Sequence, residues 1–158
     1  MDNGIVLVPE DRKMQGILSN LSVSGNINIA LMDQNANRLG IINPVKENEA
    51  ADKGIRDFKV KTPSPDKKIV ELSGGNQQKL VIAREVEKNP DVLLIGQPTR
   101  GVDIGAIEFI HKQVIAMRDA GKAVLLVSVE LDEILSLSDR ILVMFDGAIV
   151  GEVSAAQA

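Results

Sequence analysis

Between residues 91 and 129 the chain carries two short apolar runs, "DVLLIG" and "AVLLVSV", separated by a stretch with helical periodicity. Ile104, Ile107, Ile110, Val114 and Met117 recur at steps of three and four, the period of one helix stripe, and Gly121 stops the pattern. Asp103 stands where it can cap that helix. Strand, helix and strand in this order need a crossover connection, which leaves the two strands parallel in one sheet.

The same rhythm extends in both directions. Gly4 to Val8 is an apolar run halted by Pro9, readable as a buried strand. Leu80, Ala83 and Val86 mark one face of a helix that follows two glycines and ends at Asn89-Pro90. "DVLLIG" reads as another buried strand, "LDEILSLSD" as a short helix, and "RILVMFDGAIVGEV" as two strands turned by Asp146-Gly147. The fold class expected is α/β, a mostly parallel sheet flanked by helices. Residues from about Met14 to Lys68 break the rhythm, being polar, Asn-rich and irregular. Helix-like pieces there, Leu21–Met32 and Pro44–Phe58, are followed by a "KTPSPDKK" loop, so this section reads as a mainly helical insertion on the sheet's edge.

Composition narrows the function classes. A chain of 158 residues buries roughly 68–70% of its unfolded surface, enough for a real core. The net charge of -4, with both signs interleaved, excludes a broad electrostatic grip on nucleic acid or on an anionic membrane. Absence of cysteine excludes disulfides and thiolate catalysis. Three Phe with no Tyr or Trp make base-stacking platforms and aromatic cages a poor fit. No secretory signal and no apolar run near the ~20 residues of a bilayer span is present, so the chain reads as soluble. Without such a signal the sequon Asn20-Leu21-Ser22 is inert. His111 flanks the apolar stripe without a ligand cluster in sequence and reads as a helix-edge residue.

The stretch "IVELSGGNQQKLVIARE" holds Ser73, Gly74 and Gly75 just ahead of a helix. Two glycines there let backbone N–H groups face outward, and the helix start adds roughly half a positive charge, so phosphate is a natural guest. An ordinary N-cap with a bend fits these residues equally well.

Their surroundings carry more. The signature-like "LSGGN", Leu72 to Asn76, precedes a strand, Val92 to Gln97, and the polar loop Arg100 to Asp103; "VPEDR", Val8 to Arg12, and "LLVSVELDE" complete an ordered set. In that order they resemble the ATP-binding cassette ATPases: signature, Walker B strand, D-loop, Q-loop region and switch region. "VPEDRK", "LSGGNQQK" and "PTRGVDIGA" look like the second, C-terminal cassette of fused two-cassette subunits from bacterial importers of simple sugars and nucleosides. "AIEFIHKQ" and the switch segment look closer to the nucleoside-type members.

The resemblance implies one partial cassette domain over 1–158, of the P-loop NTPase type with its N-terminal part missing. Residues 1–13 and 89–158 would form the α/β core, and 14–88 the helical subdomain with the signature helix. A phosphate loop of the form G-x-x-x-x-G-K-[ST] is absent; the nearest string, "AMRDAGKA", lacks the first glycine and the hydroxyl. In the family that loop lies upstream of the Q-loop, so the chain looks truncated before it. Gly96 and Gln97 occupy the places of the magnesium-holding Asp and the catalytic Glu, and Val129 that of the switch histidine. Glycine has no ligand atom, an amide cannot take a proton from water, and a valine side chain offers no hydrogen bond. Glu10 stands where the family usually has Gln.

In the family two cassettes meet head to tail, each ATP lying between one phosphate loop and the other signature. The resemblance therefore implies that Ser73, Gly74, Gly75, Asn76 and Gln77 contact ATP in trans, with its Mg on the partner cassette, while the chain's own site is degenerate. Arg100, Gly101 and Asp103 would lie at the cassette interface; Glu10, Asp11 and Arg12, with the helical insertion, would face transmembrane permease subunits. The chain would lie peripherally at the cytoplasmic face of the bacterial inner membrane, and an extracytoplasmic solute-binding protein would be an indirect partner. Two rivals are an interaction module whose Ser-Gly-Gly turn is structural, and a DNA-maintenance cassette, whose long coiled coil the insertion is too short to form. The isolated chain is expected neither to hold ATP tightly nor to hydrolyse it; micromolar binding in calorimetry would contradict this.

Overall fold

Three strands, β1 (Ile5–Val8), β2 (Val92–Gly96) and β3 (Ala123–Val127), lie side by side in that order and all run parallel. The computed structural model that shows this describes residues 3–154; Met1, Asp2 and residues 155–158 of the expected 1–158 domain lie outside the described residues. Registers of Ile5 with Val92 and of Val92 with Ala123 align the strand starts. Helix α5 (Ile104–Asp119) makes the crossover between β2 and β3, as its three-and-four stripe requires. Asp103 caps α5, its carboxylate accepting from the Ala106 N–H at 3.0 Å.

Between β1 and β2 the chain forms α1 (Val23–Asn28), α2 (Met32–Asn35), α3 (Pro44–Asp57) and α4 (Gly74–Val86). Each start is written in side-chain chemistry. Ser22 caps α1 by accepting from the Gly25 N–H at 3.0 Å, and Asn43 caps α3 ahead of Pro44. Ser22 thus works as a helix cap. Asn26, fully buried, accepts from the Leu18 N–H at 2.8 Å and donates to the carbonyls of Leu18 and Ser22. A buried amide so satisfied closes the loop before α1.

Helix α4 is the axis of the core. Leu80, Val81, Ile82 and Ala83 are buried in succession, the signature of a helix covered on all sides. One side lies against β1, another against α1 and α3, and a third against α5. The helical section meets the sheet's edge strand β1 through α4. At the far end of α4 the buried Glu85 carboxylate is paired with Arg84, 2.8 Å away, and with Lys88. Asn89, at φ +50°, then turns the chain out of the helix.

The strands are half-buried where the sequence suggested full burial. Val6, Val8, Leu93 and Ile95 face the core, but Ile5 and Leu7 on β1 and Leu125 and Val127 on β3 point outward and are about half exposed. Neighbouring residues of a strand point to opposite faces, and the helices packed on the sheet cover one face only. Beyond β3 come α6 (Leu131–Leu137) and an antiparallel hairpin, β4 (Arg140–Phe145) with β5 (Ala148–Ser154), turned at Asp146-Gly147 as expected. That hairpin forms a sheet of its own.

Because α4 carries the core, Leu80→Ala is expected to cost about 2–5 kcal/mol. The check is urea unfolding, with a lower midpoint and an unchanged slope.

Candidate functional site

The first turn of α4 presents the Ser-Gly-Gly stretch. Ser73, exposed, is the N-cap; its hydroxyl accepts from Asn76 Nδ2 at 2.9 Å and, longer, from the Asn76 N–H at 3.4 Å. Asn76 is itself held, its Oδ1 accepting from the Lys61 N–H at 2.8 Å. Gly74 and Gly75 stand at the first two helical positions, where N–H groups have no intrahelical acceptor. Gln77 turns inward: its amide donates to the carbonyls of Ile69 at 3.3 Å and Leu72 at 3.1 Å, fixing the 3₁₀ turn Ile69–Glu71 that leads into Ser73. The cap that the sequence allowed is therefore present, made by Ser73.

Close approach explains the glycines. Neither has a positive φ. A Cβ on Gly74 would lie 2.6 Å from Arg12 Nη2 and 2.9 Å from the Gly101 carbonyl oxygen. A Cβ on Gly75 would lie 2.6 Å from Asp103 Oδ2 and 2.8 Å from Ala106 Cβ. Loop 97–103 and α5 therefore press on the start of α4, which has no room for larger residues there.

A cleft of about 730 Å³ opens on the other side of that loop, lined among others by Glu10, Gln97, Arg100 and Val129. Gln97 sits at the C-terminal end of β2 with φ +44°, a left-handed backbone that is unusual for a side chain of this size. Its N–H continues the sheet to the Val127 carbonyl at 2.8 Å, and its Oε1 accepts from the Val129 N–H at 3.3 Å. Val129 was expected to offer no hydrogen bond; its side chain has none to give, but its backbone supplies one. Gly96 has neither a positive φ nor a crowded neighbour, since a Cβ there would meet Glu10 only at ordinary contact distances from 3.4 Å. Nothing in the backbone demands glycine at 96.

The six residues expected at interfaces are drawn together around this loop. Glu10 forms an ion pair with Arg100, both well exposed, which contributes little to stability. Asp11 accepts from the N–H groups of Lys13 and Met14 at 3.0 and 3.1 Å, capping the turn Arg12–Gly16. Arg12 donates to the carbonyls of Arg100 at 2.7 Å and Gly101 at 3.0 Å. Asp103 both caps α5 and abuts Gly75.

One pair escaped sequence reasoning. His111 Nε2 on α5 lies 2.9 Å from Glu133 Oε1 on α6, and the Glu133 side chain is almost wholly buried with its Oε2 unpartnered. Nothing in the spacing of residues 22 apart signals this contact, which tethers the helix behind the switch segment. Among the described residues no group of three or more His, Cys, Asp or Glu side chains could hold a metal ion, and no helix is long and apolar enough to cross a membrane.

Comparison with known proteins places this architecture. No family model matches the chain. It is 44% identical over 154 residues to the guanosine import ATP-binding protein NupO of Bacillus subtilis, a match covering 97% of the chain and 30% of that protein. It is 47% identical over 148 residues to the nucleoside import ATP-binding protein NupA of Lactococcus lactis, covering 93% and 29%. It is 41% identical over 158 residues to the ribose import ATP-binding protein RbsA of Clostridium tetani, covering 100% and 31%. The dimeric ATP-binding cassette MJ0796, in a post-hydrolysis state bound to ADP and Pi, superposes with a TM-score of 0.82 at 23% identity, covering 97% of this chain and 63% of that one. The fold is that of an ATP-binding cassette. Over nearly its whole length the chain is similar to a segment of these import ATP-binding proteins. It spans about 30% of the length of these curated relatives.

The two glycine environments separate in mutagenesis. Gly75→Ala, which drives a methyl into Asp103 and Ala106, is expected to cost about 1–3 kcal/mol. Gly96→Ala is expected to be neutral or to stabilise by up to about 1 kcal/mol, since Ala is the better strand residue where room exists. Paired urea-unfolding curves check both.

Proposed function

We propose that this chain is part of the C-terminal cassette in the ATP-binding subunit of an importer for simple sugars or nucleosides, and that it supplies the signature in trans. Ser73, Gly74 and Gly75 close on the γ-phosphate of ATP held, with its Mg, by the partner cassette. Asn76 and Gln77 shape that turn from behind. The observation that carries this reading is the exposed Ser73 hydroxyl beside two helix-start N–H groups on a helix of 13 residues. Helix-start N–H groups and the helix dipole favour an anion at such a turn.

The chain's own cleft is read as the non-hydrolytic half of an asymmetric pair. Gln97 is engaged with the Val129 N–H, and Gly96 offers no ligand to magnesium. Water can be held at such a site, but the Gln97 amide cannot accept its proton. Arg100, Gly101 and Asp103, on the loop beside the signature, contact the partner cassette. Glu10, Asp11 and the helical section face permease subunits at the cytoplasmic side of the membrane, and a solute-binding protein delivers cargo to the permease from outside. The bare outer face of β1 and β3, with Leu7 and Leu125 unburied, suits an architecture in which further cassette residues complete the sheet.

Ser73→Ala removes a donor to a charged phosphate, worth about 1.5–3 kcal/mol. In the intact subunit, ATP-driven uptake is expected to fall about 10- to 150-fold. Uptake at the unmutated rate would exclude the trans role.

A further inference from the structure

The guanidinium of Arg12 occupies the seam between the signature turn and loop 97–103. Nη1 donates to the Arg100 carbonyl at 2.7 Å and Nη2 to the Gly101 carbonyl at 3.0 Å, so both ends of the fork hold backbone of the same loop. The same Nη2 fills the space a Cβ on Gly74 would take. Gly101, at φ +65°, offers the opposite wall: a Cβ there would stand 3.6 Å from Nη2. Arg12 is half-buried, and its Nε is covered without an acceptor among the described residues. Asp11 fixes the backbone from which Arg12 projects by capping the turn Arg12–Gly16.

We infer that Arg12 is a positioning residue that locks loop 97–103 onto the first turn of α4. Two of its donors are spent within the chain, whatever surface the residue borders. A planar fork with two parallel donors holds two successive carbonyls in one geometry, which a single ammonium cannot do. Ser73, Gly74 and the loop carrying Arg100 to Asp103 therefore advance or retreat as one body. The consequence for hydrolysis rests on the proposed trans signature; the lock itself does not.

Hydrogen exchange on the intact polypeptide tests the lock without nucleotide. The Arg100 and Val102 amides, bonded to the Gln97 and Thr99 carbonyls, are expected to exchange at least about 10-fold faster in Arg12→Ala. The sheet amides of Leu94 and Leu125 should be unchanged, and Arg12→Lys should lie between. Unchanged exchange at Arg100 and Val102, or equal acceleration in the sheet, overturns the lock. A double-mutant cycle gives an independent reading: Gly74→Ala should destabilise clearly less in the Arg12→Ala background, where the clashing nitrogen is gone, and strict additivity counts against the inference. In the intact subunit, ATP hydrolysis with Arg12→Lys is expected to lose about 10-fold in kcat with KM within about twofold. Faster exchange with unaltered hydrolysis keeps the lock and sinks the trans signature instead.

Discussion

The contact between the start of α4 and the loop after β2 is the constraint on which the rest depends. Gly74 and Gly75 let the Gly101 carbonyl, Arg12 and the Asp103 carboxylate come closer than any side chain permits. That approach sets where α4 enters the core, and its entry sets which of its residues meet β1, α1, α3 and α5. Burial of Leu80, Val81, Ile82 and Ala83 follows from the placement of one helical turn. The same turn is the one proposed to meet a phosphate. Core packing and ligand geometry share one seam, so neither can drift without the other.

Much of the architecture was legible because it rests on local chemistry. Apolar runs of four to six residues bounded by Pro9, Pro90 or Gly121 became strands, and the Ile104–Met117 stripe became α5 with Asp103 as its cap. Asp146-Gly147 turned a hairpin because both residues tolerate the left-handed backbone they adopt. Burial was legible only by half. A continuous apolar strand looks the same in sequence whether one face or both are covered, and Ile5, Leu7, Leu125 and Val127 are exposed here because cover comes from one side.

At the site, the order of motifs located the residues, while their partners came from tertiary structure. Arg12 meets loop 97–103 across 88 positions of chain, and no periodicity encodes such a meeting. Sequence reasoning gave the glycines the task of letting a neighbour come close, but could not name the neighbours, Arg12, Gly101, Asp103 and Ala106, that exclude a side chain. Gly96 is the converse case, a glycine that the fold leaves room to replace.

The outer face of the three-stranded sheet has a consequence for how the chain behaves in bulk water. Isoleucine, leucine and valine lie there in one plane, wetted and adhesive. A sheet dressed on a single side presents the kind of surface that chaperones grip and that draws identical molecules together. Heating such a chain in isolation would cloud the solution before the α4-centred core melted.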